Sequence, residues 1–87
     1  MTGHDSNEKN DLLAALNLPS TVHAQALKLL GAIAQARSAA DCNRAADRAE
    51  GFGLGLETVK ALNPASIEGL YLAFEHTATA RFVVLEQ

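Results

Sequence analysis

The sequence predicts an all-α protein: a small bundle of three principal helices with a short N-terminal helix ahead of them, self-associating. Three observations carry that expectation. Apolar side chains recur at three- and four-residue intervals through most of the chain, which is the period of a helix with one buried face. Helix-starting signals interrupt that period at two places, Ser38 with Asp41 three residues on and the pair Asn63-Pro64. Seventeen alanines against three Phe, one Tyr and no Trp favour close helix contacts over bulky burial. A chain of 87 residues makes one domain. At that size it hides only about 60–65% of the surface its unfolded chain exposes, so association that covers more apolar area would stabilise it.

Residues 1–10 are polar and contain nothing that needs burial, so they read as a flexible N-terminal arm, with residues 11–87 as a single helical domain. Over 11–18, Leu12, Leu13, Leu16 and Leu18 predict a short helix, with Asp5, Ser6 or Asn7 available to cap it and Pro19 to end it. Ser20 or Thr21 then caps a second helix reaching about Arg37. Its seam is Val22, Ala26, Leu29, Ile33, Ala36 and Ala40, widened by Leu27, Leu30 and Ala34. Lys28, Gln35 and Ser38 take the wet side, together with Gly31.

The third segment carries two readings. Cys42, Ala45, Ala49, Phe52, Leu56 and Val59 repeat alternately every three and four residues, straight through Gly51, Gly53 and Gly55. Three glycines would cost a helix on the order of 2–3 kcal/mol against Ala, and such punctuation often marks a turn. A loop has no reason to keep a heptad phase on both sides of itself. One helix over 39–62, bent near Gly53, is the expected form.

The last segment begins at Asn63, which caps, and Pro64, which enters with φ preset. Ile67, Leu70, Tyr71, Phe74, Ala78, Phe82 and Leu85 fall on one broad face, with Glu68, Glu75 and Glu86 in a narrow polar stripe beside it. Leu72, His76, Thr79 and Val83 form a second, mostly apolar stripe opposite, flanked by Ala73, Ala80 and Val84. A helix apolar almost all round is normally buried almost all round, so this stripe marks a central helix or an oligomer interface. Residues 81–86 also fit a short strand, because Phe82, Val83 and Val84 favour a pleated surface.

The formal charge of −3, with both signs interspersed, leaves no basic face to neutralise phosphates, which argues against nucleic acid as a partner. No run approaches the ~18 apolar residues that would read as a membrane span. A lone Cys42 and the lack of a signal-peptide pattern make the cytoplasm the default location. On the seam, Cys42 reads as a small buried hydrophobe.

No catalytic, cofactor or metal pattern is legible. His4, His23 and His76 lack ligand spacing, and Gly51-Phe52-Gly53-Leu54-Gly55 does not fit a phosphate loop. Gly51 and Gly55, four apart, instead suggest a shallow groove for helix packing. Arg44 and Arg48, with Arg37 and interleaved Asp41 and Asp47, read as a solvated face. The sharper reading joins Arg44, Arg48 and Arg81 as an anion site beside a pocket near Phe52, Phe74 and Phe82.

Function therefore divides between two classes. The first is a small regulatory or adaptor-type protein, a homodimer with a possible protein partner, whose interface holds Leu72, His76, Thr79, Val83 and Val84. Histidine's ordinary pKa of about 6.5 makes burial of His76 there a route to pH-sensitive association. The second is a binder of a small anionic ligand, or a minor enzyme, with its pocket between helices.

Overall fold

The computed structural model describes residues 12–87, so the polar arm expected over 1–10 lies outside the described residues. Three long helices form: α1 (Ser20–Ala34), α2 (Ala39–Thr58) and α3 (Pro64–Leu85). Each packs against both of the others. Among the described residues ahead of them the chain is helical over 12–14. The short helix expected over 11–18 stops early because Asn17 takes a left-handed φ of 52°, a conformation Asn tolerates better than most residues.

Bonds between elements fix their directions. Ser66 Oγ, at the start of α3, donates to the Leu16 carbonyl just before α1 at 3.3 Å, and Arg81 Nε, near the end of α3, donates to the Ala36 carbonyl just after α1 at 2.7 Å. Thus α1 and α3 run the same way. Cys42, in the first turn of α2, lies 3.9 Å from the Ala78 carbonyl, so α2 runs against both. Connections of four residues, 35–38, and five, 59–63, suffice for that up-down-up path.

The helix starts show which capping signals the chain uses. Ser38 Oγ accepts the Asp41 N–H at 3.1 Å and Asn63 Oδ1 accepts the Ser66 N–H at 2.8 Å, as the sequence predicts for both. At α1 neither Ser20 nor Thr21 caps. Pro19 takes the cap position with φ −54° and ψ 148°, and its carbonyl accepts the His23 N–H at 2.9 Å. That helix also ends three residues sooner than expected, because Ala36 N–H bonds back to Ile33 in a tight turn and Ala36 is drawn into the core.

α2 passes unbroken through all three glycines and ends at Thr58, four residues before the expected Leu62. Ala61 N–H reaches the Leu56 carbonyl at 2.9 Å and Lys60 N–H the Glu57 carbonyl at 3.0 Å, the paired bonds of a Schellman stop. Lys60 occupies the left-handed position of that stop, with φ 56°. Val59, assigned to the seam by spacing, lies past the helix end and is 71% exposed. Residues 81–85 stay helical, so the strand reading of that stretch is set aside.

The core sits where the three helices meet. Leu13, Leu30, Ile33, Leu70 and Cys42 are its largest fully buried side chains. Ala26, Ala49, Ala73 and Ala78 line it as small residues that let backbones come close. Leu16 docks the N-terminal segment over Gly69, where a Cβ would fall 2.3 Å from its Cδ2.

Candidate interaction surface

On α3, Ile67, Leu70, Ala73, Phe74, Thr77 and Ala78 are buried, and Tyr71, Phe82 and Leu85 are partly so. The opposite side holds four of the five residues expected at an interface, and the fifth, Val84, is exposed on the flank. Leu72 is 57% exposed, Val83 and Val84 are 52% each, and His76 and Thr79 are exposed between them. Leu72, His76, Thr79 and Val83 share one stripe, whereas Val84 falls about 100° round the helix from Val83. Ala73, expected to flank this stripe, faces the core at 2% exposure. The sequence could not assign it because Ala suits either side.

The glycines of α2 divide differently from expectation. Among the described residues, no neighbouring element comes within 4 Å of where a Cβ on Gly51 or Gly55 would sit, so neither packs against α1 or α3. That role falls to the buried Gly53, whose added Cβ would lie 2.7 Å from Cε1 of Tyr71. The Tyr71 ring lies over Gly53, and its hydroxyl donates to Glu57 Oε1 at 3.3 Å. Loss of hydration and the neighbouring Glu57 carboxylate push the phenol above its usual 10.0.

The arginines are shared out as well. Arg37, Arg44 and Arg48 line one shallow hollow with Asp41, and Arg44 pairs with Asp41. Arg81 does not line that hollow: its Nε is committed to the Ala36 carbonyl, closing the end of α1. Asp47, read as interleaved with the arginines, lies on the other flank of α2. The groove lined by Phe74 holds neither Phe52 nor Phe82, which pack against the core cluster. Its charged lining is Asp47, Glu50, Glu57 and Glu75, the opposite of what an anionic ligand needs.

This groove between α2 and α3 is what the sequence reading missed. Asp47, Glu50, Leu54 and Glu57 recur at intervals of three, four and three, a second helical stripe visible in the sequence but eclipsed by the glycines beside it. Leu54 is 52% exposed on it. Four carboxylates thus surround a floor of apolar side chains.

Cys42 is fully buried, and burial pushes its thiol above the ordinary 9.0, with Arg81 pulling the other way. Such a thiol is a packing group and a poor nucleophile at neutral pH. Among the described residues no group of three His, Cys, Asp or Glu side chains is placed to hold a metal, and no helix is long and apolar enough to cross a membrane. The class defined so far is an all-α, three-helix bundle whose described residues include an exposed, partly apolar stripe on α3 and an acidic groove between α2 and α3. Comparison with known proteins adds no relative: no family model, curated protein or solved structure matches the chain.

Proposed function

We propose that the protein acts by binding protein, as a small regulatory or adaptor-type module that pairs with a second copy of itself through the outer stripe of α3. The observation that carries this reading is the exposure of Leu72 and Val83 on a helix whose other side is core. Exposed apolar side chains scattered singly are ordinary, but a stripe three turns long on one helix is a preferred place for association. The spacing also suits self-pairing. Leu72, His76, Thr79 and Val83 are separated by four, three and four residues, which reads the same in both directions. Two copies related by a two-fold, with their α3 helices antiparallel, set Leu72 against the partner's Val83 and His76 against the partner's Thr79.

The test uses linkage. A dimer that binds only folded chains melts at a temperature that rises with concentration. The wild-type melting temperature is expected to climb over a hundredfold increase in concentration, about 2.7 kcal/mol of linkage at most. Val83→Glu, which places two charges in the contact, should melt at one temperature throughout. A concentration-independent wild-type melt overturns the pairing.

A further inference from the structure

The groove between α2 and α3 has an apolar floor and an acidic rim. Leu54, Tyr71, Phe74 and Ala78 face it, and its hollow measures about 460 Å³. Asp47, Glu50, Glu57 and Glu75 surround it, and no Lys or Arg lines it. The one ion pair among the described residues joins Arg44 to Asp41 elsewhere, so these four carboxylates have no cationic partner among those residues. Asp47 and Glu50 stand one turn apart on the same flank, a like-charge spacing that a helix tolerates at a loss of tenths of a kcal/mol. A cation laid along the rim turns that repulsion into attraction.

We propose that this groove is the docking site for a basic amphipathic helix of a partner protein. The shape calls for a helix, since two antiparallel helices leave between them the seat of a further one, read by anchors at three- and four-residue intervals. The rim from Asp47 to Glu57 spans ten residues, about 15 Å, which matches some three turns of the incoming helix. Its apolar side chains meet Leu54 and the Tyr71 ring, over a floor closed by the buried Phe74, while Lys or Arg on both flanks meet Glu50 and Glu57 from α2 and Glu75 from α3. Among its described residues a second copy does not supply such a helix. Its arginine cluster, Arg37, Arg44 and Arg48, is accompanied in its hollow by Ala32, Ala36 and Ala45, with no large apolar anchor. The proposal rests on the reading that the protein works by binding protein, yet it uses a surface other than the α3 stripe.

The probe is a fluorescein-labelled peptide of about 14 residues, Leu at helical spacing and Lys elsewhere, titrated with the full chain near 0.1 M salt. Its companions are a scrambled peptide of equal composition and a Leu/Glu peptide of equal pattern. Saturable binding of the patterned Leu/Lys peptide alone is expected, with amide shifts confined to 46–57 and 71–78 in the NMR spectrum. The near-isosteric double change Glu50→Gln/Glu57→Gln should weaken it by about tenfold or more, while Glu86→Gln, off the groove, leaves it within about twofold. Equal binding of the scrambled peptide, or equal loss in both variants, overturns the groove, because bulk charge then explains the affinity. A dimeric chain that ignores the peptide overturns the groove and leaves the stripe standing. A strict monomer that binds it overturns the stripe and leaves the groove.

Discussion

Gly51, Gly53 and Gly55 occupy one helix within five residues, yet substitution should separate them. Gly51 and Gly55 have open space where a Cβ would go, so Gly51→Ala and Gly55→Ala each raise unfolding free energy by about 0.5–1 kcal/mol in urea titrations. Gly53→Ala has the same helix propensity to gain but forces the Tyr71 ring off its seat and disturbs its bond to Glu57. Its stability therefore falls below that of the other two variants. The periodicity of α2 was legible, because the five seam residues from Cys42 to Leu56 kept phase through the glycines. Which glycine packs was not legible, since the answer depends on where Tyr71 of α3 arrives. Cys42 gives a second residue-scale expectation. A thiol reagent should react with it in unfolded protein and only slowly in the native state at pH 8, as burial requires. The sign of its pH effect follows: the folded thiol titrates above the unfolded 9.0, so its contribution to stability is complete below about pH 9 and is lost as pH rises through the folded value.

At the scale of elements, starts were easier to read than stops. Ser38 and Asn63 cap through their own side chains, so Ser38→Ala and Asn63→Ala should each cost about 1 kcal/mol. Thermal melts of the two variants check this. The end of α2 was misread because Lys60, an ordinary helix former, stands where a Schellman stop usually has glycine. Lys60→Gly should therefore stabilise by up to about 1 kcal/mol, measured against wild type in the same urea titration. A loss of stability would mean that the Lys60 side chain contributes more than its backbone strain removes. The end of α1 depends on Arg81, 45 residues away, whose Nε–H satisfies the Ala36 carbonyl. No local pattern announces that bond. It took Arg81 out of the candidate anion site and made it a structural residue.

For the whole molecule, the small core sets the terms. Leu30 and Leu70 are fully buried among alanines, so Leu70→Ala, at about 2–5 kcal/mol, removes much of the few kcal/mol that so small a core supplies. The all-α bundle and the core face of α3 could be read from periodicity because both depend on spacing within single helices. The acidic groove could not, because it exists only where Glu50 and Glu57 of α2 meet Glu75 of α3 across a gap. The exposed stripe on α3 holds the central claim, and Leu72 at 57% exposure is its most accessible large apolar residue. The most direct measurement is solution mass by light scattering over a concentration range, for wild type and Leu72→Glu side by side. The expected result is a wild-type mass rising from 9.2 kDa toward twice that value while Leu72→Glu, equally helical by circular dichroism, stays at 9.2 kDa. A wild-type chain monomeric at every concentration, or a Leu72→Glu chain that still dimerises, would contradict it.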